Sequence, residues 1–249
     1  MKNNFLKQRL FFFSLLCSIL ILSPVVSKEL KIKATEIQTF EKGNIIIGKD
    51  KAEAKIIGEL EIFAEKFTYD KEKEFLIAED KVVVFDLINK IIINSNKIEY
   101  YKSKNEIISY GKTNFNIKDK YKIISSDIFF DNNKLIIFSD NKTFVEDDLD
   151  NKVELSSFKY FDKTEILNGK DIKLTDNEQN KYFLSQGKLN LKDYALLGKD
   201  IKILLRNDTF GIQENEPKLK GNSLYYHNDK SLITKGIFTS CKENNNCPP

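Results

Sequence analysis

A strand, a polar turn, a second strand and a Gly or acidic break recur at a spacing of about 30 residues along this chain, and that recurrence limits the folds open to it. The clearest unit runs from Ala64 to Asp86, AEKFTYDKEKEFLIAEDKVVVFD. Taking Phe67 as its anchor, equivalent positions fall at Ile37, Ile98, Ile128, Phe158, Leu189 and Leu224, with offsets of 30, 31, 30, 30, 31 and 35. Two residues beyond the anchors stand Thr39, Tyr69, Tyr100, Phe130, Tyr160, Leu191 and Tyr226, while the positions between are mostly polar. Such a period of two is that of a half-buried strand. Polar turns follow, as in Asp131-Asn132-Asn133-Lys134 and Lys102-Ser103-Lys104-Asn105, then a short apolar run and a break at Gly48, Gly111, Asp140, Gly169, Gly198 or Gly236. Helical periodicity is hard to find. The expected fold is all-β, with repeated antiparallel strands that bury an apolar face against their neighbours.

The first 27 residues stand apart from the repeats. Lys2, Lys7 and Arg9 precede an apolar run from Leu10 to Leu22, and Val25-Val26-Ser27 suits cleavage before Lys28, so residues 1–27 read as an export signal. Cys17 lacks the small preceding residue of a lipoprotein site, since Leu15-Leu16 stand there. Removing the signal's three basic residues leaves 37 basic against 37 acidic, where a nucleic-acid binder would show a basic excess. Residues 28–240 are expected to form the β domain. Two long strands joined near Gly58 are expected before Lys66, Glu146 to Lys152 reads as a solvated acidic turn, and Asn207 to Asn222 is the longest interruption and the expected boundary.

Catalytic patterns are missing. His227 is the one histidine, with no serine or cysteine placed to make a triad, and neither a P-loop, a GxGxxG nor an HExxH is present. The acidic residues sit at turns or on polar strand faces, so the expectation is a protein that is not an enzyme and needs no cofactor or metal. Cys241 and Cys247 remain after signal cleavage; in an exported chain they bond to each other or to partners elsewhere.

The units AEKFTYD, SNKIEYY and SSDIFFD resemble the repeat of the OstA-type domain, shared by the lipopolysaccharide-transport proteins LptA and LptC and the periplasmic part of the outer-membrane assembly protein LptD. The resemblance spans most of residues 30–240. Phe238-Thr239-Ser240-Cys241, followed by Cys247-Pro248-Pro249, is similar to the junction where LptD passes into its membrane barrel, and the resemblance implies that residues 241–249 are a truncated junction to an absent barrel. The resemblance implies an elongated, open β-jellyroll whose two sheets enclose an apolar groove for lipid A acyl chains, in the periplasm and associated with the outer membrane. Its implied partners are lipopolysaccharide, an LptA-like domain joined by edge-strand pairing, and the barrel with its lipoprotein plug. Cys241 matches the family cysteine that bonds to the barrel. The family's other cysteine, near the mature start, has no match, and Cys247 stands as its substitute.

Residues expected to line such a groove are Ile62, Phe67, Tyr69, Phe75, Val83, Phe85, Ile93, Ile98, Tyr100, Phe115, Ile128 and Phe130; otherwise they fill a closed core. Two other readings stand beside this one: a free-standing LptA-like bridge, and a secreted β-repeat adhesin or polysaccharide-binding protein.

Overall fold

The computed structural model describes residues 29–207, 209, 216–228 and 230–240; residues 1–27, expected to be an export signal, and Cys17, Cys241 and Cys247 lie outside them. The chain divides into residues 1–30 and 31–249, and the fold is that of the second unit. Its strands are β1 (Lys31–Lys33), β2 (Glu36–Phe40), β3 (Ile45–Ile56), β4 (Leu60–Asp70), β5 (Phe75–Asp86), β6 (Ile91–Tyr101), β7 (Glu106–Tyr110), β8 (Lys112–Ile117), β9 (Tyr121–Ser126) and β10 (Phe129–Asp131). They continue as β11 (Ile136–Ser139), β12 (Thr143–Asp147), β13 (Lys152–Leu155), β14 (Ser157–Phe161), β15 (Ile166–Thr175), β16 (Lys181–Asn190), β17 (Ala195–Leu204), β18 (Lys218–His227), β19 (Lys230–Thr234) and β20 (Ile237–Thr239). Among the described residues the single helical element is a 3-10 turn at Glu41–Gly43, and no helix is long and apolar enough to cross a membrane.

Every pairing is antiparallel, and together the pairings form two ladders. Sheet A runs through β2, the first half of β3, the second half of β4 and the first half of β5, and onward through β7, β10, β11 and β14 to β19. Sheet B runs from β1 through the remaining halves and through β8, β9, β12 and β13 to β20. Each long strand therefore belongs to both sheets, and each short pair such as β7 and β8 is one strand divided at the same corner. At about 4.8 Å per strand, the ladders extend on the order of 60 Å. The result is an elongated antiparallel jellyroll.

One period of the sequence is one excursion up and down across both sheets. The anchors Phe67, Ile98, Ile128, Phe158, Leu189 and Leu224 are all buried on the inner side of sheet A, on every second strand. Ile37 departs from the series. It is 51% exposed on the edge strand β2, where no further strand among the described residues covers it. The turns are built on buried carboxylates: Asp70 Oδ1 accepts from the Lys73 amide, Asp86 Oδ1 from the Ile88 and Asn89 amides, and Asp131 Oδ1 from the Lys134 amide.

Two expectations are corrected. Phe75, Val83 and Phe85 face outward, because the buried parity of β5 belongs to Leu76, Ala78, Val82 and Val84. Phe85 stacks edge-on against Phe63 at 5.9 Å, and Phe75 lies 4.8 Å from Tyr101, on the outer surface. Both faces of β5 are apolar, so its sequence carries no alternation to fix the parity. Nor does the segment 207–222 end the ladder, since β17 and β18 pair from Leu204↔Lys218 to Leu196↔Tyr226. The long strands joined near Gly58 are β3 and β4, and Gly58 takes φ +75° in the turn between them.

The corner has its own chemistry. Asp50, Lys51, Asp80, Lys81, Asp127, Asp171 and Asp200 adopt left-handed backbone there, a conformation that Asp and Asn tolerate better than most side chains. Serines at the period of the repeat close the opposing strands: Ser95, Ser125, Ser156 and Ser185 each donate to a carbonyl, those of Tyr110, Lys142, Lys170 and Lys199. In the last two modules the same hydroxyls also reach Asp171 at 2.8 Å and Asp200 at 2.7 Å.

Glycines let the sheets converge. Gly169, Gly187 and Gly198 align across β15, β16 and β17, and side chains of sheet B rest on their backbones. A Cβ on Gly198 would stand 1.8 Å from Leu184 Cδ2, one on Gly169 2.2 Å from Leu155 Cδ2, and one on Gly187 2.7 Å from Ile172 Cδ1. Replacing Gly198→Ala is expected to cost about 1–3 kcal/mol through overpacking. The measurement is the urea midpoint, and Leu184→Ala in the same chain should recover part of the loss.

Candidate functional site

The space between the sheets is apolar from end to end but is not equally filled. From β3 to β11 its large side chains are buried. Phe67, Ile62, Ile93, Phe115 and Phe130 have no exposed surface, and Phe115 meets Phe130 across the interior in a T-shaped contact at 5.9 Å. Tyr121 of sheet B meets Tyr160 of sheet A similarly at 6.1 Å.

Opposite the corner, the turns of the two sheets face one another along a seam. Asn89 Nδ2 donates to Asn132 Oδ1 at 3.0 Å. Lys118 Nζ reaches both oxygens of Asp162, at 2.9 and 2.8 Å, and the Asp162 side chain is only 3% exposed. Next to it, Tyr121 Oη donates to Glu165 Oε2 at 2.8 Å, and Lys120 Nζ lies 3.3 Å from the same oxygen. Burial disfavours the charged form of Glu165, but the bonds from Tyr121 and Lys120 outweigh it and hold the carboxyl below the ordinary glutamate range. Burial pushes the Tyr121 phenol up.

Beyond this latch the sheets part. A cavity of about 390 Å3 lies between the turns of β12–β13 and β15–β16 on one side and the end of β16 to β18 on the other. That is within the range of sites that hold small ligands. Val145, Val153, Leu174, Leu189, Leu191 and Leu196 line it together with Tyr121, Tyr182, Tyr194 and Tyr226. At its rim Leu149 is 48% and Tyr194 43% exposed, so apolar surface continues from the cavity to the solvent. The rim carboxylates are engaged by their own loops: Asp147 accepts from the Leu149 and Asn151 amides, and Asp176 from the Asn180 amide and the Tyr182 hydroxyl at 3.1 Å. The acidic turn expected over Glu146 to Lys152 is one of these loops. Burial, reinforced by Asp176, pushes the Tyr182 phenol up.

Of the twelve residues expected to line a groove, Ile62, Phe67, Tyr69, Ile93, Ile98, Tyr100, Phe115, Ile128 and Phe130 lie between the sheets in the packed stretch. None of them lines the open cavity. Apart from Tyr121 and Val145, the residues that do belong to the later repeats, where the strand pattern is weaker. Their signal was present, since Leu189 is an anchor position and Leu191 and Tyr226 are its partners two residues on. His227 ends β18, half-buried, its ring 6.3 Å from that of Tyr225. Among the described residues, no three His, Cys, Asp or Glu side chains converge as metal ligands would.

No family model matches the sequence, and no curated protein does. Among solved structures, a similarity is found to LptH of Pseudomonas aeruginosa, described as the LptA-homologous periplasmic component of the lipopolysaccharide transport device. The identity is 13%, the match covers 44% of this chain and 80% of that one, and the TM-score is 0.39, too slight a likeness to carry an argument.

Tyr121→Phe removes a hydroxyl shared by Glu165 and the Leu191 carbonyl and is expected to cost about 1 kcal/mol of unfolding free energy. Because the Glu165 carboxyl is depressed in the fold, its contribution is present above the ordinary glutamate pKa and is lost as pH falls through the depressed value. Urea midpoints followed between about pH 5 and 3 should therefore fall less steeply in Glu165→Gln than in the parent chain.

Proposed function

We propose that this chain is a periplasmic lipopolysaccharide-transport domain of the LptD N-terminal type, which takes acyl chains between its sheets and is not an enzyme. The carrying observation is the apolar interior that opens to solvent beyond the Tyr121–Glu165 latch. Each methylene moved out of water contributes about 0.8 kcal/mol, so a lipid tail is held by an apolar lining with no specific bonds. The repeat units quoted from the sequence add support, as does the leader that reads as an export signal.

The two ends of the ladders bear on partners. β1 and β2 pair only with β3, and β19 and β20 only with β18, so each end offers backbone edges to another domain among the described residues. Such edges accept an added strand. They suit both an LptA-like neighbour and the second reading, a free-standing bridge. A barrel joined through Cys241 belongs to the first reading alone.

Photo-crosslinking tests the proposal. A photoreactive residue at Leu196 should label lipopolysaccharide in transporting cells, and one at the outward Val83 should not. Labelling at Phe67 should be weak, since that stretch is filled by side chains. Absence of label at Leu196 during active transport would overturn the proposal.

A further inference from the structure

The outer face of sheet A carries a feature that a lipid trough does not require. Lys159, Lys170, Lys188 and Lys199 project from four successive strands, β14 to β17, and all four are exposed. The register pairs Lys159 with Asn168 and Asn168 with Lys188, and in the neighbouring row Lys170 with Gln186 and Gln186 with Lys199. The lysines thus zigzag between two rows. Diagonal neighbours on one face stand about 7 Å apart, so like charges are held close together.

Elsewhere the lysines meet carboxylates, as Lys66 meets Glu79, Lys118 meets Asp162 and Lys173 meets Glu154. Among the described residues these four form no ion pair. Asp171 and Asp200, their neighbours in sequence, accept instead from Ser156 and Ser185 at the corner. A depression of about 780 Å3 spans the four lysines, with Asp140 the one carboxylate on its lining among the described residues and Tyr225, 45% exposed, at its far end.

Lys159 lies over the rings of Phe138 and Phe161, but no carboxylate pairs with the four among the described residues, and like charge at this spacing is relieved by a bound anion. The amides of Asn168 and Gln186, set between the lysines, suit hydroxyl groups, and the open ring of Tyr225 suits the flat face of a sugar. The concave shape suits a discrete ligand over a flat bilayer. We propose that this face binds a phosphorylated saccharide, its phosphates on the lysine zigzag and its ring near Tyr225. The site is on the outside of sheet A and the lipid cavity between the sheets, so neither depends on the other.

Calorimetric titration of the full chain with glucose 1,6-bisphosphate at low salt tests this, beside glucose, inorganic phosphate and phosphatidylglycerol vesicles. The bisphosphate should bind about tenfold or more tighter than inorganic phosphate, with affinity that falls as salt rises, and glucose should not bind. Lys170→Gln with Lys188→Gln should weaken it by about tenfold with unchanged circular dichroism, whereas Lys112→Gln with Lys122→Gln, on sheet B, should leave it intact. No binding of the bisphosphate, equal affinity for inorganic phosphate, or equal loss in the sheet B variant would overturn the proposal. Binding to vesicles alone would overturn it in favour of a membrane contact.

Discussion

Each long strand of this protein bends, and each short pair is divided, at the same height, and the fold rests on that shared corner. A flat ladder of this length would leave one apolar face in water; bending each strand lets the two halves of the ladder cover each other. The bend is costly in backbone terms, since it places Asp50, Lys51, Asp80, Lys81, Asp127, Asp171 and Asp200 in the left-handed region. What offsets it is local: serine hydroxyls that bridge adjacent corners, and glycines that let Leu155, Ile172 and Leu184 lie directly on the opposing backbone.

The same bend explains how the interior is both core and candidate conduit. Near the corner the sheets touch, so aliphatic side chains fill the wedge. Farther out they diverge, and what closes the space is the pairing of turns across the seam. Where Lys118, Tyr121, Asp162 and Glu165 meet, the trough is shut; past them a cavity lies between the walls. Filling and opening are thus two outcomes of one geometry, decided by the turns that reach across.

Much of this was legible in the sequence. The anchor series set the number of excursions, and Phe67, Ile98, Ile128, Phe158, Leu189 and Leu224 do line one face of one sheet. Gly and Asp breaks marked the corner, though the recurring Ser95, Ser125, Ser156 and Ser185 beside them went unread. Parity was the weak point. In β4 the buried set passes from Leu60, Ile62 and Ala64 to Phe67 and Tyr69, an odd step across the corner, so alternation read straight through a strand changes face halfway. In β5, where both faces are apolar, Phe75, Val83 and Phe85 could not be told from their inward neighbours. The open cavity was harder still, because it depends on which turns meet across the seam, a relation between residues such as Tyr121 and Glu165 that lie 44 apart.

The modular spacing has a consequence for how such a chain changes size. Backbone pairing joins each excursion to the ones before and after it, and the seam contacts Lys118–Asp162 and Tyr121–Leu191 reach across more than one unit, so stability accrues mostly by neighbours. Adding or deleting one whole unit keeps the inward parity, the corner and the seam in phase, and alters the span by two strand widths, about 10 Å. Loss of an odd half-unit would instead bring turns of one sheet against the corner of the other. Length in this architecture is therefore quantised, and a lineage can tune reach in fixed steps without redesigning the interior.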